Sequence, residues 1–418
     1  MQKIRNKKRI FNEKTILATV DIGKEYNYGY IRCYDGTEVA PFKFHNTHEG
    51  FTIFWQAIES IQRDKHVPDI IIGFESTGCY GIPLIHFLHD KPVTLVYVNP
   101  KHTKKVKEIS DNSPNKHDKK DPKVIADIIE LGNWLHVVVP RGLAATLREL
   151  MHDRDDELKL LTELYNKVHA HVFKIFPEFQ RVFTHLDTKT AHYLLTHYPT
   201  PEAISDLGVE RLAAIIRHQS RGRMPQKRAE QLYHYALTSV GIKEGQDCIA
   251  DRIHRLLHII EEHKQWVAIY EQRIAHVLSR VPESHLMLSI KGVGPITAAG
   301  LIGEIGDFHE FANYAELEKF VGLNLYEVSS GKHRGHKRIA KRGRPLARKL
   351  LFFASINVVR QGGIYHEQYQ SYVARGMKKI KALTAISRKL LRLIYALVHH
   401  QCEFDLQYFQ KQHAKNAA

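Results

Sequence analysis

NSPNKHDKKDPKVIADII, residues 112–129, places Asp118 and Asp121 three residues apart, where a polar, lysine-rich loop turns into an apolar-periodic helix. At that spacing two acids share one helical face and repel each other. Either the neighbouring lysines neutralise the pair or a more highly charged cation does. The preceding sequence supplies two more acids in comparable settings. Asp21 closes the apolar segment of TILATVDIG (15–23), and Glu75 closes DIIIGFE (69–75), a continuous apolar run of the kind found in buried strands. Between them, YGYIRCYDG (28–36) and EVAPFKF (38–44), separated by a DGT turn signal, read as two further strands. Residues 48–64 form a helix with Phe51, Phe54, Ile58 and Ile61 on one side. A helix near Cys79–Leu88 and a strand at PVTLVYV (92–98) follow, ahead of the Asp118 helix. The order β-β-β-α-β-α-β-α predicts a mixed sheet with helices packed on it.

Adjacent strand ends lie about 5 Å apart, so Asp21 and Glu75 can meet, and a helix beside them adds Asp118 and Asp121. Four converging carboxylates require cations between them. Oxygen-rich sets of this kind hold Mg²⁺ or Mn²⁺, and two such ions can clamp the attacking and leaving oxygens of phosphoryl transfer. Each acid also has an ordinary reading. A single Asp at a strand end commonly forms a turn, Asp118 suits the N-cap of its helix, and Asp111 and Asp127 show that acids are frequent nearby. The joint order favours the metal: an acid after each of two apolar strands, then a pair on the next helix.

A formal net charge of +16 points to a polyanionic partner, with nucleic acid ahead of a membrane surface. No apolar run approaches a membrane span, and ILATV is too short for a signal-peptide core. Cys33, Cys79, Cys248 and Cys402 contain no CxxC pair, which suggests a reduced, cytoplasmic protein without a thiolate zinc site. The tight histidine pairs His333/His336 and His399/His400 read as surface groups.

From Arg141 the pattern changes. Leu143 to Ile175 and Ile249 to Val277 carry apolar residues at three- and four-residue steps, predicting two arms of an antiparallel coiled coil over 141–285. A small helical insert, 178–245, contains HYPTPEAISDLG and HQSRGRMPQK. A core role accounts for both stripes. In LSIKGVGPITAAGLIGEIGDFHEF (288–311), Gly292 and Gly294 bracket a turn before Pro295. This suits either a phosphate-contacting helix-hairpin-helix or a glycine-rich corner between packed helices. GLNLYEVSSGKHRGHKRIAKRGRPLARKLL (322–351) follows, with nine Lys/Arg and no acid in 332–349. That density predicts phosphate contact through Lys332, Arg334, Lys337, Arg338, Lys341, Arg342 and Arg344, with Lys104 and Lys105 adding to it upstream.

The order of the acids resembles that of RNase H-like (RuvC-type) nucleases. VDIGK, GFEST-G and SPNKHDKKDPKVIADII look like the DEDD signature of transposases of the insertion-sequence 110 family, the Piv/MooV-like recombinases. SIKGVGPITAAGLIGEIGDF and GLNLYEVSSGKHRGHKRIAKRGRPLARKLLF are similar to that family's second block, and HYPTPEAISDLG to its helical region. The likeness spans most of residues 15–400, with Pro122 standing where many members carry Ala. It implies a RuvC-like catalytic domain over 1–133, the helical region over 141–285, a mostly helical C-terminal transposase domain over 286–402 and a tail, 403–418. It further implies an enzyme that mobilises an insertion sequence by site-specific DNA recombination. Asp21, Glu75, Asp118 and Asp121 would bind metal, and a serine of the Ser-Ser-Gly segment would be the nucleophile. The spacing from Gly322 favours Ser330 over Ser329. A structured bridge RNA would select donor and target DNA, and the protein would work as a nucleoid-associated dimer or tetramer. Two other readings compete with it. A RuvC-like metal-dependent junction endonuclease needs only the first 133 residues and leaves the Ser-Ser-Gly segment without a role. A non-catalytic nucleic-acid scaffold explains the charge but not four ordered acids.

Overall fold

The computed structural model describes residues 10–75, 78–111, 121–220, 225–327, 329–330, 333–335 and 337–415. The chain divides at Val139/Pro140 into two compact units.

The first unit is built on its two apolar runs. β1 (Thr15–Asp21), β2 (Tyr26–Cys33) and β3 (Glu38–His45) form an antiparallel meander, followed by α1 (His48–Lys65), β4 (Asp69–Glu75), α2 (Ile82–His89) and β5 (Val93–Val98). Then come α3 (Pro100–Asp111), α4 (Asp121–Glu130) and the two-residue β6 (Leu135–His136). The sheet order is β3-β2-β1-β4-β5-β6, with β4 parallel to both β1 and β5. Side chains alternate between the faces of a strand. Ile16, Ala18, Val20, Ile70, Ile72 and Phe74 therefore pack with Phe54 and Ile58 of α1 and Leu84 of α2. Leu17, Ile71, Val96 and Val98 pack with Val124, Ile125, Ile128 and Ile129 of α4 on the other face. The helix α3 is basic and has few apolar residues beyond Val106 and Ile109, which is why such a sequence reads as a loop; Pro100 starts it, as proline suits a first turn.

The second unit is almost wholly helical. α5 (Gly142–Ile175) is followed by α6 (Phe179–Val182), α7 (Lys189–His197), α8 (Pro201–Ser220), α9 (Pro225–Leu237) and α10 (Gln246–Leu278). The long helices α5 and α10 run antiparallel, tied by Arg154–Glu271 at 2.6 Å and Glu157–His263 at 2.5 Å. Val168, Val172 and Ile175 share a core with Ile253, Leu257 and Ile260, and the same core takes in the shorter helices between the arms. Next come α11 (Ser284–Leu288), α12 (Pro295–Ile305), α13 (Tyr314–Val321), β7 (Leu325–Tyr326), β8 (Ser329–Ser330), β9 (His333–Arg334) and β10 (Arg338–Ile339). The unit closes with α14 (Pro345–Val358), α15 (His366–Ala374), α16 (Lys379–His400) and α17 (Leu406–Lys415). The last helix lies in the predicted tail and is docked: the Phe409 ring sits 5.5 Å from that of Tyr365, and the Phe404 N–H donates to Ser289 Oγ at 2.9 Å. No helix among the described residues is long and apolar enough to cross a membrane. All four cysteines are free.

Candidate active site

The sheet register places two of the predicted acids side by side. β1 pairs in parallel with β4 up to Val20↔Phe74, so the next residues, Asp21 and Glu75, stand at the matching carboxyl ends of neighbouring strands. Strand alternation also fixes their face. Thr19, two residues before Asp21, donates its Oγ1–H to the Pro122 carbonyl of α4 at 2.6 Å. Gly73, two residues before Glu75, lies so close under α4 that a Cβ there would stand 2.1 Å from Ile129 Cδ1. Asp21 and Glu75 therefore emerge on the α4 face. Asp121 is the first residue of that helix and only 7% exposed, one residue from the carbonyl that Thr19 holds. A carboxylate in a first helical turn is also favoured by the helix dipole.

The structure thus brings three of the four predicted acids to one face at one end of the sheet, and Asp118 lies outside the described residues. Among the described residues no three or more His, Cys, Asp or Glu side chains stand together closely enough to hold a metal ion. The donor chemistry nevertheless fits a hard divalent ion, since all three groups are carboxylates and one of them is buried.

Two groups that the sequence pattern did not single out hold α4 in place. Thr19 is one, a fully buried hydroxyl; its signal in the sequence is a hydroxyl set between the apolar Ala18 and Val20. Arg32 is the other. On β2, it reaches Asp127 at 2.8 Å and Glu130 at 3.1 Å on α4, Glu38 at 3.2 Å on β3, and the Tyr30 hydroxyl at 2.9 Å. Burial opposes the charge on Arg32, but its hydrogen bonds with Asp127 and Tyr30 outweigh that and hold its pKa above the ordinary value. Burial likewise pushes the Tyr30 hydroxyl up. A hydrogen bond from Tyr30 depresses Glu38, assisted by Lys123 at 3.2 Å.

The predicted nucleophile and most of the predicted cations lie on a hairpin of the second unit. β7 pairs with β10 (Leu325↔Ile339, Tyr326↔Arg338), and farther out β8 pairs with β9 (Ser329↔Arg334, Ser330↔His333). Ser330 therefore stands at the outermost described rung. Its side chain and that of Arg334 lie outside the described residues, as does Lys332. Lys337, Arg338, Lys341 and Arg342 are exposed. The rest of the nine-cation run is engaged within the unit. Arg344 stacks 4.9 Å from the Phe320 ring centre, Arg348 donates to the Val321 carbonyl at 2.7 Å, and Lys349 pairs with Asp155. On the first unit, Lys104 and Lys105 are exposed on α3.

The base of the hairpin depends on two glycines whose backbones meet. At Gly343 (φ +146) a Cβ would lie 2.1 Å from the Phe320 carbonyl oxygen, and at Gly322 (φ +82) it would lie 2.7 Å from the Arg342 oxygen. Below, Glu304 of α12 is 2% exposed and meets His152 Nε2 of α5 at 2.7 Å. Burial alone would raise the Glu304 carboxyl, but His152, Arg148 and Arg344 hold it below the usual range, and Glu304 in turn raises His152. Gly292 has a packing reason for its place: its φ is +106, and a Cβ would stand 3.0 Å from Val358 Cγ1. Nothing lies within 4 Å of the corresponding point on Gly294, before Pro295.

Both units resemble known sequences. A family model of DEDD transposases, described as Transposase, matches residues 18–177, and one described as Transposase IS116/IS110/IS902 family matches residues 284–370. The chain is 22% identical over 392 residues to an uncharacterized 44.8 kDa protein of insertion element IS116 from Streptomyces clavuligerus, covering 92% of this chain and 94% of that protein. It is 25% identical over 312 residues to an IS110 element protein of Streptomyces coelicolor, covering 70% and 73%. A transposase for IS1111A from Coxiella burnetii is 28% identical over 137 residues, 32% of this chain and 37% of that one.

Proposed function

This chain belongs to the IS110 family of transposases, and we propose that it mobilises its element with two sets of groups, metal-binding carboxylates on the first unit and the Ser330 hydroxyl on the second. The observation that carries the reading is the shared face of Asp21, Glu75 and Asp121 around the Thr19–Pro122 hydrogen bond. Asp118, three residues before Asp121, completes the set. The strand order β3-β2-β1-β4-β5, antiparallel then parallel, supports an RNase H-like, RuvC-type unit. The opposed apolar seams of α5 and α10 support a coiled coil.

Mg²⁺ or Mn²⁺ bound by the four carboxylates would polarise the scissile phosphate. The chain's own groups do the rest. Ser330 Oγ gives its proton to solvent water and bonds to phosphorus as the bond from phosphorus to one deoxyribose oxygen breaks, and that oxygen takes a proton from solvent. The phosphodiester is conserved as a protein–DNA ester, so a hydroxyl of another strand can reverse the step and rejoin the DNA. Lys337, Arg338, Lys341 and Arg342 hold the DNA backbone by charge, as would Lys332 and Arg334, while Lys104 and Lys105 extend the basic surface. The net charge of +16 suits an assembly that also holds an element-encoded bridge RNA, with the protein acting as a dimer or tetramer.

Asp21→Asn, Glu75→Gln and Asp121→Asn test the site on duplexes carrying the element's ends, with the element's non-coding RNA present. Each should lower strand cleavage roughly 100-fold or more while DNA retention in gel shifts stays near wild type. Near-normal cleavage by either strand-end variant contradicts the assignment. Free DNA ends without protein attached would instead favour the junction-endonuclease reading.

A further inference from the structure

The loops that follow Asp21 and Glu75 are joined by one side chain. Asn46, just after β3, donates its amide N–H groups to the Lys24 carbonyl at 3.3 Å and the Gly23 carbonyl at 3.5 Å, both in the loop after β1. The same amide reaches the Tyr80 carbonyl, in the loop after β4, at 3.2 Å. Its Oδ1 accepts from Asn27 Nδ2 at 3.4 Å. Asn27 is fully buried and accepts the Gly23 N–H at 3.2 Å. The backbone N–H of Asn46 adds a bond to the Glu25 carbonyl at 2.9 Å. A second contact joins the same loops: Ile22, the residue after Asp21, lies so near Gly81 that a Cβ there would stand 2.5 Å from Ile22 Cδ1.

An amide suits this place for a chemical reason. Its two N–H groups serve carbonyls of two different loops while its oxygen takes the Asn27 donor. A carboxylate would bring negative charge against those carbonyls with nothing to donate. Strand pairing fixes Asp21 and Glu75 up to the ends of β1 and β4, but nothing in the ladder fixes the chain beyond them. The Asn46 clasp does so within a few residues of each acid.

We propose that Asn46, oriented by Asn27, is a positioning residue for divalent-ion binding at Asp21 and Glu75. The inference rests on the reading of those two acids as metal ligands. Groups that orient carboxylate ligands affect metal affinity by about 10- to 100-fold.

The test is Mn²⁺ binding followed by electron paramagnetic resonance on the full chain without DNA, for wild type, Asn46→Ala and Asp21→Asn, with thermal melts alongside. Asn46→Ala should weaken Mn²⁺ affinity about tenfold with a melt close to wild type, and its DNA cleavage should recover as Mg²⁺ is raised. Asp21→Asn should lose the site outright. If Asp21→Asn loses Mn²⁺ while Asn46→Ala binds within twofold of wild type, the positioning role is wrong and the carboxylate site stands. If Asp21→Asn binds as wild type does, the site reading falls and the inference falls with it. Should Asn46→Ala not melt cooperatively, Asn46→Ser, which keeps one hydrogen-bonding group, carries the same criterion.

Discussion

Asp121 begins a helix whose inner face, Val124, Ile125, Ile128 and Ile129, is buried against the sheet, whereas Ser330 sits at the outermost described rung of a two-stranded hairpin. Around the acids the order comes from packing: a fully buried Thr19, a glycine under Ile129, and the Arg32 hub across β2, β3 and α4. Around the serine it comes from backbone meeting backbone at Gly322 and Gly343, and from the Arg344–Phe320 stack.

If the hairpin depends on its base, its most damaging single change lies far from Ser330 in the ladder. Gly343→Ala puts a Cβ 2.1 Å from the Phe320 oxygen at a φ of +146, where L residues are strained. Protein–DNA adduct formation should fall about 100-fold, with a stability loss of roughly 2 kcal/mol, while Mn²⁺ binding in the first unit should be unaffected. An Ala variant with normal adduct yield would show that the hairpin does not need its glycine base.

On the carboxylate half, Thr19→Val keeps shape but removes the hydrogen bond to Pro122, at a cost of about 1–2 kcal/mol. The melting temperature should fall by a few degrees, and cleavage should fall more than DNA retention, because Asp121 moves with α4. Arg32→Ala should cost somewhat less, about 1 kcal/mol, since Asp127 and Glu130 are 40% and 50% exposed and can take up water. Hydrogen exchange should rise in α4 and stay unchanged in α2.

The smallest effect concerns pH. Glu304 is depressed and His152 raised, so the two shifts act at opposite ends of the scale. The Glu304 contribution is present above the ordinary carboxylate range and is lost as acid protonates it. The His152 contribution is complete below the ordinary histidine value of 6.5 and fades as pH rises through its raised folded value. His152→Gln should therefore flatten the decline in melting temperature on the alkaline side of 6.5. An unaltered slope would separate His152 from that decline.

Much of the first unit was legible because β1 and β4 are apolar runs ending in acids, and alternation along them dictates which face each acid takes. The meander, both parallel strands and the helices of the first unit that carry apolar stripes follow from period alone. α3 was not legible, because lysines dominate it and, among its described residues, only a few such as Val106 reach the core. The hairpin was hidden for a different reason. Charge density marks 332–349 as a phosphate surface but says nothing about which cations are engaged by neighbours within the unit, as Arg344, Arg348 and Lys349 are. Nor could spacing reveal Arg32 or Asn46, whose partners come from three separate stretches of chain.

The claim that both halves act in one reaction is tested most directly by trapping the protein–DNA adduct in Mg²⁺ and mapping it by peptide mass spectrometry. The wild type, Ser329→Ala, Ser330→Ala and Asp21→Asn should be compared on the same element-end DNA. If both are needed, an adduct forms on Ser330 in the wild type and in Ser329→Ala. None forms in Ser330→Ala and none in Asp21→Asn, although the latter keeps its serine. An undiminished adduct in Ser330→Ala, or a full one in Asp21→Asn, would contradict the claim.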